Sequence, residues 1–278
     1  MKPINMLANG LMFGYLLANI PLKLAAILHA SGDLFGLFFL SVKRCSTLIS
    51  APKRAIFWLL FKRQLFNIAL KSIYINVLIA LLLSSLVMSR AYTLLPEGML
   101  FSDYYAKFFV TVVVREVGPM FSALILIARS ATAITFEMGH LKLHNQFEAL
   151  KAQGMDPLAI FLLPVLFAFP LSLLMMQLIF VLVCLFSSYL FINFSYQADL
   201  PLQHFVQLIS TQISAVDVIT SILKVLFGGI LIGLICIYFG SKVGNRFTEI
   251  SRAIASATSL QLLLVVSINV ALSIVGYL

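Results

Sequence analysis

From Leu158 to Phe194 the chain carries no charged residue at all. Such a run cannot remain in water, and it exceeds the roughly 20 residues that an α-helix needs to cross a hydrocarbon core about 30 Å thick. It is therefore a membrane-spanning helix whose excess length must be absorbed by tilt or overhang. Pro164 and Pro170 lie inside it and should kink it, because each removes a backbone donor and crowds the carbonyl four residues earlier. Similar apolar runs place spans at about 64–95, 108–136, 158–190, 217–241 and 254–277. Composition agrees: 62% of residues are hydrophobic and 10% charged, against about 25% charged in a soluble domain. The expected fold is an all-α polytopic membrane protein with five transmembrane helices and N-terminal interfacial helices.

The interfacial expectation concerns residues 1–62, distinct from a membrane domain over 63–278. That segment is apolar but broken by Pro21, Lys23, His29, Asp33, Lys43-Arg44 and Pro52-Lys53-Arg54, so no uninterrupted run reaches spanning length. Lys2 before an apolar run suggests a signal peptide as the rival reading, but no small-residue cleavage site followed by a polar mature domain comes after Pro21.

The net charge of +9 is concentrated in this N-terminal stretch. Beside a span, it reads as a cytoplasmic flank attracted to anionic headgroups, and not as a nucleic-acid surface. Lys142 and Lys151 in the 137–157 connection, and Lys242, Arg246 and Arg252 in the 242–252 turn, add cations on the same side, whereas the 193–216 connection has no Lys or Arg. The N-terminus is thus expected inside and the C-terminus outside. Cys45, Cys184 and Cys236 lack paired spacing, and His140/His144 lack a supporting carboxylate set, so neither a disulfide framework nor a metal site is expected. No nucleophile–base pair is discernible, so no catalytic residue is assigned.

The polar residues inside the spans carry the functional information. Arg115 and Glu116 lie within an apolar helix, where one unpaired charge costs roughly 2.5–3.5 kcal/mol even on lenient insertion scales. They either rim a lipid-accessible cavity, with Arg115 meeting a phosphate or carboxylate and Glu116 an amine, or form an internal ion pair that fixes packing. Gly118-Pro119 should loosen the helix beside them and free carbonyls, which is tolerable only next to protein or water. Arg129 returns to within about 40° of the face of Arg115, some 21 Å along the helix. There it pairs with Glu137 or snorkels, a structural role.

From His140 onward Leu143, Phe147 and Leu150 recur at helical spacing, with Lys142, Asn145, Gln146, Glu148 and Lys151 on the remaining surface. Gly154 is a natural stop, and Asp156-Pro157 a natural start for the next helix. Such a helix suits a groove on a soluble partner or the membrane surface equally well. Lys224, seven residues after Asp217 on one face, suggests an ion pair or snorkelling. The chain has no G-x-x-x-x-G-K-[ST] loop, so any ATP-driven work needs another subunit.

Several ordered motifs then carry a resemblance. R-E-x-G-P at 115–119, A-R-x-x-x-A-x-x-x-E-x-G at 128–139, Q-x-[DE]-A-L-x-x-x-G-x-D-P at 146–157 and Pro164 resemble the MlaE/YrbE family of ABC-transporter permeases. Arg63-Gln64, Lys224 with Phe227-Gly228, and Ser251-Arg252-Ala253 fit as well, so the similarity covers about 63–278. The chain departs from the family pattern at Ala128-Arg129-Ser130-Ala131, at Asn145-Gln146 and at Pro164-Val165.

The resemblance implies a five-span permease in the bacterial inner membrane, N-terminus cytoplasmic and C-terminus periplasmic. It implies a homodimer working with a cytoplasmic ABC ATPase, an MCE-domain protein and a STAS-domain protein to move phospholipid between inner membrane and outer envelope. ATP and Mg would belong to the ATPase, with no cofactor in this chain. Residue by residue, 140–154 becomes the coupling helix, with Leu143, Gln146, Phe147, Glu148, Leu150, Gly154 and Asp156 at the ATPase, while Arg115 and Glu116 line a lipid pocket at the dimer interface. Arg129, Glu137 and Lys224 remain structural polar residues. The alternative from another class is an ion-gradient-driven secondary transporter of an amphiphile, with Glu116 or Asp217 as its proton site. An inverted repeat would favour it, but the chain shows no matching halves.

Overall fold

The computed structural model describes Gly36 and residues 51–94, 103–154, 157–196, 201–244 and 246–277. The chain divides into two compact units, Met1–Thr47 and Leu48–Leu278, and the second is the one described below. The interfacial helices expected before residue 51 and the helix start expected at Asp156 lie outside the described residues.

Runs of Leu, Ile, Val, Phe and Ala leave the backbone no solvent partner, so it satisfies itself within helices. Among the described residues five helices are long and apolar enough to cross a membrane: Ala55–Arg90, Tyr105–Leu143, Ile160–Phe194, Ala215–Ser241 and Phe247–Gly276. Among the described residues the structure is all-α, with no strand.

The first span is built from α1 (Ala51–Leu65), a π-helical stretch π1 (Phe66–Leu70) and α2 (Lys71–Leu94), and it passes through Lys62 and Arg63 without a break. The second consists of α3 (Asp103–Phe109), π2 (Val110–Val117), α4 (Gly118–Leu126), π3 (Ile127–Ala131) and α5 (Thr132–Leu143). It therefore does not stop near 136, as its hydrophobicity suggests, but carries Glu137 and His140 on the same rod.

The helix expected over 140–154 is two pieces. After Leu143 the chain turns at His144-Asn145, where Asn145 adopts a left-handed conformation (φ 53°), one that asparagine tolerates better than most residues. A separate short helix α6 (Gln146–Ala152) follows, ended by Gly154 at φ +74°.

The third span, α7 (Pro157–Tyr196), stays helical through Pro164 and Pro170. The polar connection behind it holds α8 (Leu202–Gln212), whose buried Phe205 and Ile209 are one turn apart. The Phe205 ring lies 6.4 Å from Tyr105 and 5.9 Å from Tyr189. The fourth span, α9 (Ala215–Ser241), opens with a capping box: Ser214 Oγ accepts from Val216 N–H, and Asp217 accepts from Ser214 N–H, each at 3.2 Å. The fifth is α10 (Phe247–Tyr277).

In the bundle α7 lies between the first span and α9, and α9 packs in turn on the second span and α10. The fourth span is the most enclosed, with 61% of its apolar stretch buried, whereas the first and fifth, at 28% and 22%, form the edges. A Cβ on Gly229 would fall 2.5 Å from Pro170 Cα, so the third and fourth spans meet backbone to backbone. Side-chain hydroxyls and amides tie the first span to the third: Asn76 Nδ2 donates to Met176 O at 2.8 Å and Ser84 Oγ to Cys184 O at 2.9 Å.

Candidate functional site

Pro119 has no N–H, so the carbonyl of Arg115, four residues earlier, loses its α-helical donor. Lys224 Nζ takes that place at 2.8 Å and donates to Glu116 Oε2 at 2.9 Å. The neighbouring carbonyl of Val114 accepts from Gln177 Nε2 and Ser221 Oγ at 3.2 and 3.3 Å. Two helices, α7 and α9, thus supply three side chains to the backbone that π2 and Gly118-Pro119 leave open.

The charges close on one another. Arg115 Nη1 lies 3.2 Å from Asp217 Oδ1, and Arg115 Nε lies 3.6 Å from Glu116 Oε1. Lys224 and Asp217, seven residues apart in α9, do not pair with each other as their spacing suggests. They take opposite partners, Glu116 and Arg115, on π2. Two cations and two anions leave no net charge, which is what makes Arg115 at 6% and Lys224 at 1% exposure tolerable in an apolar bundle. Room for the guanidinium comes from Gly276, where a Cβ would sit 2.6 Å from Arg115 Nη2.

One member of the cluster opens outward. The Glu116 side chain is one-third exposed and lines a cleft of about 380 Å³ between the second and fifth spans, with Met120, Val266, Asn269, Val270 and Ser273. Ser273 Oγ donates to Glu116 Oε2 at 2.5 Å. Glu116 Oε1 and Asn269 Oδ1 are buried and accept no hydrogen bond. The cleft therefore presents apolar walls and a one-third exposed carboxylate, a combination suited to an amphiphile with a donor in its polar head. Arg115 was expected on the same wall, but it points to Asp217 and is not among the residues lining the cleft. Asn269 and Ser273 escaped the sequence reading; their signal is a four-residue spacing of polar groups in an otherwise apolar last span.

The other sequence candidates lie elsewhere. Among the described residues Arg129 and Glu137 form no ion pair with each other; instead both line a smaller cavity shared with the first span. On α6, Phe147 packs its ring against Phe161 at 6.0 Å and Leu150 is half-buried, as is Leu143 at the end of α5. Gln146, Glu148 and Gly154 are exposed. The apolar stripe thus serves this chain's own packing, and the polar face is the one presented outward.

Comparison with curated protein sequences finds no match. A family model described as Permease MlaE matches residues 61–275. That range takes in the second, third and fourth spans, the paired charges of π2 and α9, and the cleft residues of α10 as far as Ile274. The chain is a multi-pass membrane protein that belongs to the MlaE permease family.

Proposed function

We propose that this chain is the membrane subunit of an ABC-type transporter that moves phospholipid between the bacterial inner membrane and the outer envelope. The observation that carries the reading is the cleft: a charge cluster neutral within itself leaves one carboxylate, Glu116, one-third exposed and facing an apolar slot. An ammonium headgroup would meet that carboxylate while its acyl chains follow Met120, Val266 and Val270.

In this reading two copies work together with a cytoplasmic ATPase, which binds ATP and Mg, and with MCE-domain and STAS-domain proteins. The N-terminus is cytoplasmic and the C-terminus periplasmic. The exposed polar face of α6, with Gln146 and Glu148, meets the ATPase. The second span is one helix from Asp103 to Leu143, so a push at α6 travels along a single rod to Glu116. ATP binding in the partner draws the two copies together and reshapes the cleft.

The test is a mild-detergent pull-down of the full chain, with mass spectrometry of the retained proteins and lipids. The expected result is a P-loop ATPase, an MCE-domain protein and bound phospholipid, with the lipid diminished in Glu116→Gln. A stable preparation that carries lipid but no ATPase, and that transports in response to a proton gradient, would overturn the proposal in favour of a secondary transporter.

A further inference from the structure

The C-terminal half of the second span holds polar groups that the charge cluster does not use. A second cavity, of about 200 Å³, lies between the first and second spans and is lined by Asn67, Lys71, Arg129, Ser130, Ala133 and Glu137. It forms where two π-helical stretches, π1 and π3, face each other. Such turns are rare and concentrate at functional sites.

Hydroxyls fix the wall they share. Ser130 Oγ and Ser72 Oγ donate to the same carbonyl, Ile68 O, at 2.8 and 3.1 Å, and the two hydroxyls lie 2.8 Å apart. This clasp joins the two helices at a buried point, so the polar side chains around it are held by packed backbone and not by loops.

The side chains around the clasp differ from those of the cluster in π2. Lys71 is exposed and Arg129 and Glu137 are half-buried, and among the described residues none of the three is in an ion pair. Two cations, one carboxylate and one amide share one cavity. The apolar residues beside it, Phe66, Leu70 and Phe136, are 55%, 50% and 43% exposed. A free phosphate would use the cations alone and meet repulsion from Glu137. A zwitterionic lipid would use every group: its phosphate between Lys71 and Arg129, its ammonium at Glu137, and its acyl chains along Phe66, Leu70 and Phe136.

We propose that this cavity is a second phospholipid headgroup site, selective for an amine-bearing headgroup and placed about 20–30 Å along the second span from Glu116. The proposal rests on the lipid-transport reading and adds to it a loading position in the membrane leaflet opposite the cleft.

The test uses the full chain in nanodiscs of phosphatidylethanolamine and phosphatidylglycerol. A photoreactive residue is placed by Ala133→benzoylphenylalanine or, in a separate variant, by Val270→benzoylphenylalanine in the cleft, and crosslinked lipid is identified by mass spectrometry. The expected result is phosphatidylethanolamine at Ala133, reduced about tenfold by Lys71→Gln with Arg129→Gln. Glu137→Gln should lower the preference for phosphatidylethanolamine over phosphatidylglycerol about threefold. Unchanged crosslinking at Val270 in the same backgrounds shows that the fold has survived.

A yield at Ala133 that ignores all three substitutions would mean ordinary annular lipid and overturn the site. Loss of the crosslink on adding millimolar inorganic phosphate would replace the lipid with a free anion. Crosslinking at Val270 but not at Ala133 overturns this inference alone, and crosslinking at neither overturns the lipid-transport reading.

Discussion

The second span carries an arginine and a glutamate near each end, and the two pairs have opposite fates. Arg115 and Glu116 face α9, which supplies a complementary anion and cation in Asp217 and Lys224, so that the four charges neutralise one another with Arg115 and Lys224 almost fully buried. Arg129 and Glu137 face the first span, which supplies only another cation, Lys71. The same residue types on the same helix thus become a closed cluster at one end and an open, part-exposed constellation at the other. What decides between them is the neighbouring helix, and a closed cluster fixes structure while an open one has capacity left for a ligand.

Breaking the closed cluster should give the largest effect. Lys224→Met leaves Glu116 facing the bundle without its cation, and it should cost about 3–5 kcal/mol, read as a lowered midpoint of thermal unfolding in detergent. Adding Glu116→Gln to that variant should recover most of the loss. Neutrality of Lys224→Met alone would erase the contrast between the two ends. Gly229→Leu acts one step removed, since its side chain collides with Pro170 and displaces the span that presents Lys224 and Asp217; a destabilisation of about 1–3 kcal/mol is expected in the same assay.

Ser273→Ala removes one hydrogen bond to a part-exposed carboxylate and should cost only about 1 kcal/mol, yet lower lipid retention in the cleft. At the open end, Lys71→Gln and Arg129→Gln should each stay within about 0.5 kcal/mol of the parent. A larger loss there would show that these cations have structural partners after all.

The spans were legible because hydrophobic length is a one-dimensional property, and the charge-free stretch before Phe194 admits no other solution in water or lipid. The residues of the charge cluster were legible for a similar reason, since Arg115, Glu116 and Lys224 stand out against apolar surroundings. Their pairing was not. Which charge meets which depends on the rotation of one helix against another, and π2 alters that rotation without leaving a hydrophobic signature. The division of the 140–154 segment was missed because Asn145 could serve as one more polar residue on a helix surface or as a left-handed turn, and only the packing of Phe147 on Phe161 decides between them. The short helix α8 was hidden in a connection recognised by its lack of cations, where Phe205 and Ile209 are too few to announce a buried face.

The two π-helical stretches of the second span have a mechanical corollary. Each amounts to one residue inserted into an otherwise regular α-helix, and the nine residues Gly118–Leu126 lie between the two inserts. Moving an insert past a residue changes that residue's azimuth by about 100° and its height by about 1.5 Å, while the helix beyond keeps its register. The middle of the rod is therefore a rotary coupling, able to change phase against its neighbours while both ends stay clamped.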